Sequence, residues 1–270
     1  MHSTVDLALS RRYRESLEAE LSGQILTGDG AFVCTHGATC RSSASAKSFG
    51  FAAGQLSYVG DAYACQVGDA PLRILIVSMQ VGDAEAPVSM TRRAEQLATR
   101  IPETPGMRNP HMRGVTRALQ ILHGLDIDNE HLNDRTHVLH AYAMANSVLC
   151  SALPTEGRSR RGKPTDVMLR NCAHHLTRTL EALQPVIVHT QGMDTRDVIE
   201  RITQPVRRHS NEVSTVRIGG RTAILCATSH PAAGPPSSWS SLKPGSYFSE
   251  TVSPALRLAR ELALTSLRLR

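Results

Sequence analysis

The sequence predicts a three-layer α/β/α fold, in which a central, mainly parallel four-stranded sheet is covered by helices on both faces. Four short apolar runs alternate with segments of helical periodicity, at residues 74–77, 137–141, 185–189 and 223–227. Apolar strands that alternate with amphipathic helices are typical of parallel sheets buried between two helical layers. The 270 residues are 41% hydrophobic, which is enough for one core, and we expect a single domain over residues 1–270.

The first 71 residues precede this alternation and are expected to extend the domain. Leucines recur among charged residues over 4–22 and predict an amphipathic helix, so residues 1–26 form an N-terminal helical extension. Residues 27–71 are rich in Gly, Ser and Ala and predict a long irregular segment that carries cysteines. Such segments are usually functional or held by a ligand, and a bound metal cluster would hold this one.

Helical patterns fill the intervals between the apolar runs and close the chain. They cover residues 91–101, 113–124, 166–183 and 254–269. Ligands of parallel sheets bind beyond the carboxyl ends of the strands. The loops of interest are therefore those that start near Ser78, Asn146, Gly192 and His230.

The formal charge is +6, which favours a polyanionic partner over an acidic substrate. No stretch approaches the roughly 20 apolar residues that cross a membrane, and the N-terminus lacks the apolar core of a signal peptide. We therefore expect a cytoplasmic protein without a membrane partner, and also a monomer without a nucleotide cofactor. In that compartment the six cysteines are better explained as core residues or metal ligands than as disulfides.

A specific pattern spans the middle of the chain. It consists of Asn146-Ser-Val-Leu-Cys150, a basic loop, Pro164-Thr165, Cys172 within a helix, then Pro185-Val-Ile-Val and Gly192. This run resembles the iron–sulfur, family 4-like branch of the uracil-DNA glycosylase superfamily, and His230-Pro231-Ala232 is similar to that family's His-Pro-Ser motif. The resemblance covers about residues 30–265 and identifies the chain as a divergent member.

The resemblance implies a DNA glycosylase that extrudes a nucleotide and hydrolyses its base–sugar bond. His230 would donate to the O2 of the departing base, as an oxyanion-hole donor does, and Asn146 would read the base edge. His111 would stack on the base, where the family has an aromatic residue. Read without the resemblance, His230 is a structural residue before a turn, Asn146 a turn residue and His111 a helix-entry residue.

The loop after the first strand departs most from the family. The family has Gly-Glu-Ala-Pro-Gly or a close variant, and this chain has Ser-Met-Gln-Val-Gly over 78–82. Met79 and Gly82 would line the substrate pocket, with Met79 in place of the acidic residue. Gln80 and Asp83 are candidates to hold the attacking water, or else polar loop residues that cap the next element.

The cysteines implied as ligands are Cys34, Cys40, Cys150 and Cys172, with a 4Fe-4S cluster expected and zinc as the alternative. Cys65 is the reserve ligand for the first pair, whereas Cys226 lies in an apolar strand and is expected in the core.

The basic loop implies contact with DNA phosphates through Arg158, Arg160, Arg161 and Lys163, although a solvated loop is the alternative. Trp239 follows the His-Pro motif, where a wedge would fill the space of a flipped nucleotide. It could equally anchor the C-terminal helix in the core.

The altered first loop argues against assuming uracil as the target. Polar pocket walls favour a pyrimidine with a polar substituent at C5 over plain uracil. Modified bases of phage DNA, removed in antiviral defence, are an alternative target. A catalytically inactive relative that binds DNA is the alternative function, because Met79 replaces an acid.

Overall fold

The computed structural model describes residues 3–67, 70–82, 87–103, 106–155 and 162–268. Within these ranges the chain forms seven α-helices that cover a central sheet. They are α1 (Leu7–Leu21), α2 (Gly37–Ala46), α3 (Met90–Ala98), α4 (Pro110–His123), α5 (Asp166–Leu183), α6 (Met193–Ile202) and α7 (Ser253–Arg268). A 3-10 turn at Val138–His140 and a π-helical turn at Phe248–Val252 complete the helical structure in the described part.

The strands are short and fall into one large sheet and three small ones within the described ranges. They are β1 (Ser3–Val5), β2 (Gly50–Ala52), β3 (Tyr58–Val59), β4 (Cys65–Val67), β5 (Ala70–Pro71), β6 (Ile74–Ser78), β7 (His131–Asn133), β8 (Thr136–His137), β9 (Ala143–Asn146), β10 (Ser151–Leu153), β11 (Ile187–Gln191), β12 (Gln204–Arg208), β13 (Val213–Ile218) and β14 (Arg221–Thr228).

The large sheet has the order β12-β13-β14-β11-β6-β9-β3. Its centre is the four parallel strands β14, β11, β6 and β9. Strands β13 and β12 add an antiparallel hairpin at one edge, and β3 pairs antiparallel with β9 at the other. The predicted α/β class with a mainly parallel sheet is confirmed, but the sheet has seven strands rather than four.

The side chains of β6 alternate between the two faces of the sheet and show why this is a three-layer fold. Ile74 and Ile76 belong to the apolar cluster on the face covered by α4 and α7, whereas Leu75 and Val77 belong to the cluster covered by α1, α2, α5 and α6. Successive side chains of a strand point to opposite faces, so an uninterrupted apolar run is buried on both. No helix in the described ranges has the length and apolar character needed to span a membrane.

The second parallel strand was predicted at 137–141, and this is wrong, because the strand is Ala143–Asn146, in register from Leu75↔Ala143 to Ser78↔Asn146. The Val138–His140 segment forms a 3-10 turn instead. The Leu139 N–H donates to Nδ1 of His137 at 3.1 Å, so a side chain rather than a neighbouring strand satisfies this backbone group.

The segment 27–71 is not the irregular stretch that the sequence predicts. It contains α2, whose Cys40 and Ala44 are buried, and the short strands β2 to β5. β2 pairs with β10, and β3 joins the large sheet through β9. These pairings are long-range, so local composition did not reveal them. The hairpin β12–β13 and helix α6 were also not predicted.

Candidate active site

One cavity of about 830 Å³ lies at the carboxyl ends of β6 and β9, bounded by α3, the start of α4 and the loop after β14. Parallel strands end at the same edge of a sheet, and ligands bind there. The cavity collects six residues singled out from the sequence, namely Met79, Gln80, Gly82, His111, Asn146 and His230. Residues from four separate segments of the chain are thus brought to one place.

The rings of His111 and His230 are stacked, with centroids 5.3 Å apart and planes 13° from parallel. Helix α4 and the loop after β14 meet at Gly114. A Cβ there would lie 2.3 Å from Cβ of Pro231 and 3.1 Å from the Trp239 ring. Only glycine allows this approach, and it places His111, one turn earlier on α4, beside the residue that precedes Pro231.

The tautomer of His230 follows from its local hydrogen bond. The backbone N–H of Ala232 donates to Nδ1 of His230 at 3.1 Å. A neutral imidazole whose Nδ1 accepts must carry its proton on Nε2. His230 is therefore arranged as a hydrogen-bond donor at a cavity wall.

His111 is only partly exposed, and its Nδ1 is buried without a partner among the described residues. Burial, and after it the neighbouring His230, lower the pKa of His111 to about 4. The ring is therefore neutral near pH 7. One of its faces lies against His230, so only the other face is open to a planar ligand.

Asn146 ends β9 and is 4% exposed. Its Nδ2 has no hydrogen-bond partner within the part of the chain that the structure describes. An unsatisfied buried donor costs about 1–3 kcal/mol, so it usually has an explanation. An amide at a cavity wall whose donor lacks a protein partner is suited to binding a ligand.

The sequence analysis did not single out Gln191, at the end of β11, as a site residue. Its Oε1 accepts from Ser78 Oγ at 3.4 Å, and its Nε2 is buried without a partner in the described ranges. Ser78 lines the cavity and pairs with Asn146 across the sheet. A polar residue ending a buried parallel strand is the signal that could have identified Gln191.

Gln80 is placed differently from what a water-holding role needs. Its Nε2 donates to the carbonyl oxygens of Ala152 and Gly162, at 2.9 and 3.0 Å, and its Oε1 accepts from Ala152 N–H at 3.1 Å. Both amide hydrogens are used, so Gln80 fixes the start of β10 and the end of the basic loop instead. Asp83, the other candidate, lies outside the described residues.

Trp239 is not the exposed wedge that the motif suggested. It is 2% exposed, its Nε1 donates to Ser229 Oγ at 3.0 Å, and its ring stacks on His189 at 6.0 Å. A side chain buried on all sides cannot enter DNA without unfolding its surroundings. Trp239 instead takes the core role that was the alternative, and it packs edge-on to Phe248.

Most of the basic loop, including Arg158, Arg160 and Arg161, lies outside the described residues. Lys163 is described and exposed, with Nζ 3.3 Å from Oδ2 of Asp194. Gly162 packs against β10 so closely that a Cβ would lie 1.7 Å from the Ala152 oxygen. Gly162 therefore lies directly against β10, beside the cavity loop that Gln80 belongs to.

The four cysteines proposed as ligands share one side of the sheet. Cys40 lies on α2, Cys150 follows β9 and Cys172 lies on α5; all three are buried, and Cys34 is half-buried beside them. Burial first, together with the other thiols of the group, raises the pKa of Cys150 and of Cys172 to about 12. All four cysteines thus belong to, or pack against, one apolar cluster on this face of the sheet.

The other two cysteines lie in the apolar cluster on the opposite face of the sheet. Cys65 is therefore separated from the group by the sheet and cannot replace Cys34 or Cys40, so its reserve role was wrong. Cys226 is buried in β14, consistent with the expected core position.

The donor set suits an iron–sulfur cluster, because four thiolates are its usual ligands and their repulsion is relieved by bound cations. Nδ2 of Asn171 donates to Sγ of Cys40 at 3.4 Å, and backbone N–H groups of Gly54 and Leu149 donate to Cys150 and Cys172. Donors to the sulfurs tune such clusters. In the described ranges no three ligand-type side chains are close enough to hold a single metal ion.

Comparison with known proteins gives no family. No protein-family model matches the chain, and no curated protein is significantly similar to it.

Proposed function

We propose that this protein is a DNA glycosylase that binds an extruded base in the cavity and hydrolyses its bond to the sugar. The observation that carries the proposal is that His230 and Asn146, from distant parts of the chain, line one cavity with complementary roles. His230 accepts at Nδ1 and so carries its proton on Nε2, and Nδ2 of Asn146 has no partner in the described ranges. The formal charge of +6 favours DNA as the partner.

Hydrolysis of the base–sugar bond requires stabilisation of the leaving base. When the base–sugar bond breaks, negative charge develops on the base and positive charge on the sugar. The Nε2–H of His230 donates to the pyrimidine O2 and so lowers the free energy of the departing anion, as an oxyanion-hole donor does. Water then adds to the sugar cation and leaves an abasic site, with Asp83 as the candidate to hold that water.

Asn146 contributes recognition in the same cavity. A side-chain amide offers a donor beside an acceptor, which matches the N3 and O4 edge of uracil, or the N3 and N4 edge of cytosine if the amide rotates. Position 146 therefore selects pyrimidine edges, while the cavity walls decide between pyrimidines. A flipped base is read in this way by hydrogen bonds to its pairing edge.

Cys34, Cys40, Cys150 and Cys172 would hold a 4Fe-4S cluster. In this position the cluster would cross-link α2, α5 and the segment after β9. That cross-link stabilises the cysteine-bearing N-terminal region and positions the loop that follows Cys150. The residues of the cavity, rather than the cluster, carry out the steps of the reaction.

A catalytically inactive DNA-binding relative is the second candidate. Met79 occupies the family's acidic position, and the amide of Gln80 is fully engaged with the 152–162 loop. Glu95 is the one carboxylate among the described lining residues, and it pairs with Arg92 at 2.9 Å. These observations leave water activation to residues beyond those described.

Single-turnover excision from oligonucleotides that carry a panel of modified bases tests the proposal, with alkaline cleavage at abasic sites as the readout. We expect excision of at least one pyrimidine. His230→Ala should lower the rate by roughly 10²–10³ with little change in DNA affinity, and Asn146→Ala should abolish it. DNA binding without excision of any base in the panel would favour the inactive relative.

A further inference from the structure

We infer that one face of α3 forms a second subsite in the cavity, which binds a hydrophilic, hydroxyl-rich substituent at C5 of the extruded pyrimidine. This inference rests on the proposed function and names the substrate class. The wall formed by α3 and the two residues after it contributes Arg92, Arg93, Glu95, Gln96, Thr99 and Arg100 to the lining. Six hydrogen-bonding side chains on one wall are far more than a bare pyrimidine can use.

The order of strands places this wall opposite His230. His230 follows β14, Asn146 ends β9, and α3 packs beside β3, the strand next to β9 at the edge of the sheet. The cavity thus runs along the sheet edge from His230, past Asn146, to α3.

The same order is found around a pyrimidine ring. C5 lies opposite C2, and the N3–C4 side lies between them. If O2 accepts from His230 and the N3–C4 edge meets Asn146, then a substituent at C5 points away from His230. It points toward α3, so the ring geometry and the strand order agree.

Arg93 shows that part of this wall is held in place by hydrogen bonds within the protein rather than by solvent. Although it is a charged residue, it is only 8% exposed. Its Nη2 donates to Oε1 of Gln55 at 2.9 Å and its Nη1 to Oε1 of Gln96 at 3.0 Å. In the described ranges no carboxylate lies within ion-pair distance of it. Its planar group is held at the cavity by neutral amides, with donors left for a ligand.

The other charges of the wall are balanced. Arg92 pairs with Glu95, and Arg100 pairs with Glu103 at 2.8 Å. A wall that mixes arginine donors with carboxylate, amide and hydroxyl acceptors is suited to neutral hydroxyl groups, which both donate and accept. It is less suited to a phosphate, which would meet Glu95.

The size of the cavity agrees with an enlarged base. At about 830 Å³ it lies near the top of the range for pockets that hold drug-sized ligands. A uracil ring with its exocyclic atoms has eight heavy atoms, whereas a hexose linked through a hydroxymethyl group adds about thirteen more. Such an addition would extend from the base to the α3 wall.

The test uses matched oligonucleotides with uracil, 5-hydroxymethyluracil or 5-glucosyloxymethyluracil at one position, and the corresponding cytosine series. We expect the single-turnover rate constant for excision to rise along each series, with that of the glucosylated base at least tenfold above that of the unsubstituted base. Equal rates along both series, or fastest removal of the unsubstituted base, would overturn the subsite while leaving glycosylase activity established. Removal of no base at all would count against the proposed function itself.

Variants of Gln96 and Arg100 locate the effect, because both residues are exposed on the wall, and thermal unfolding of each variant checks that the fold is kept. Gln96→Leu and Arg100→Ala should each lower the excision rate of the glucosylated base about threefold to tenfold, the effect of one lost hydrogen bond. The ratio of its rate to that of the unsubstituted base should fall by the same factor. Arg178→Ala is the matched control, since Arg178 is also exposed and pairs with Glu181 three residues on, but it lies on α5. An unchanged preference in both wall variants would remove α3 from substrate recognition.

Discussion

Gly114→Ala should separate the stacked histidines without touching either ring. The new methyl carbon would lie 2.3 Å from Cβ of Pro231 and 2.5 Å from its Cγ. Ordinary contacts between carbon atoms are about 3.5–4.0 Å, so helix α4 and the 230–239 loop must move apart by roughly 1 Å. His111 lies one turn away on α4 and His230 directly precedes Pro231, so the displacement falls on the stack.

The cost in stability is expected to be small and the cost in activity large. Overpacking costs about 1–3 kcal/mol, and alanine recovers up to about 1 kcal/mol through its higher helix propensity. The net loss of about 0–3 kcal/mol lowers Tm by only a few degrees. By contrast, a displacement of about 1 Å at reacting groups lowers rates about 10²-fold.

Three measurements on the same preparation check this. Thermal unfolding gives the stability change, single-turnover excision gives the rate, and imidazole NMR reports whether His230 keeps its proton on Nε2. Gly106→Ala is the control, because a Cβ there meets nothing within 4 Å. If Gly114→Ala excises at the wild-type rate, the stacking of His111 on His230 does not matter for the reaction and the packing argument fails.

Two further predictions concern the metal and the pH dependence of stability. The purified protein should be brown and contain iron. The Cys150→Ser variant should lose the colour, and its residues 34–46 should become sensitive to proteolysis. A colourless protein with stoichiometric zinc would refute the iron–sulfur assignment. Burial lowers the pKa of His189 from 6.5 to about 3. Between these pH values the histidine is protonated in the unfolded chain but neutral in the folded protein. The free energy of unfolding should therefore fall as pH drops from 6.5 toward 3. His189→Gln should flatten this dependence and the exposed His174→Gln should not; identical slopes for wild type and His189→Gln would show that His189 titrates normally in the fold.

Sequence periodicity was sufficient for the elements whose pattern is local. Helix α5 begins at Asp166 and ends at Leu183, as predicted, and the first, third and fourth parallel strands lie where their apolar runs are. The second strand was misplaced because two apolar runs lie within ten residues of each other. Pairing with Leu75 to Ser78, which is a long-range choice, selected the later one.

The positions of site residues were predictable where they lie at the ends of strands. The orientations of side chains were not predictable, because they depend on long-range hydrogen bonds and packing. Asn146 ends one parallel strand and His230 lies two residues after another, so topology alone brings them to one edge. The orientation of Gln80 depends on two carbonyl groups more than 70 residues away in sequence, and the burial of Trp239 depends on contacts with His189 and Phe248. A motif indicates that such residues matter but does not give their direction.

The short turn after β9 links the cysteine group to the cavity. Asn146 faces the cavity and Cys150, four residues later, faces the thiols on the other side of the fold. Between them the N–H groups of Ser147 and Val148 donate to the oxygens of Ser78 and Met79, at 2.8 and 3.2 Å. The start of this turn is thereby fixed to the loop that carries the first cavity wall. If a cluster binds at Cys150, it would hold the far end of this turn, and loss of the cluster should therefore loosen the position of Asn146 at the cavity.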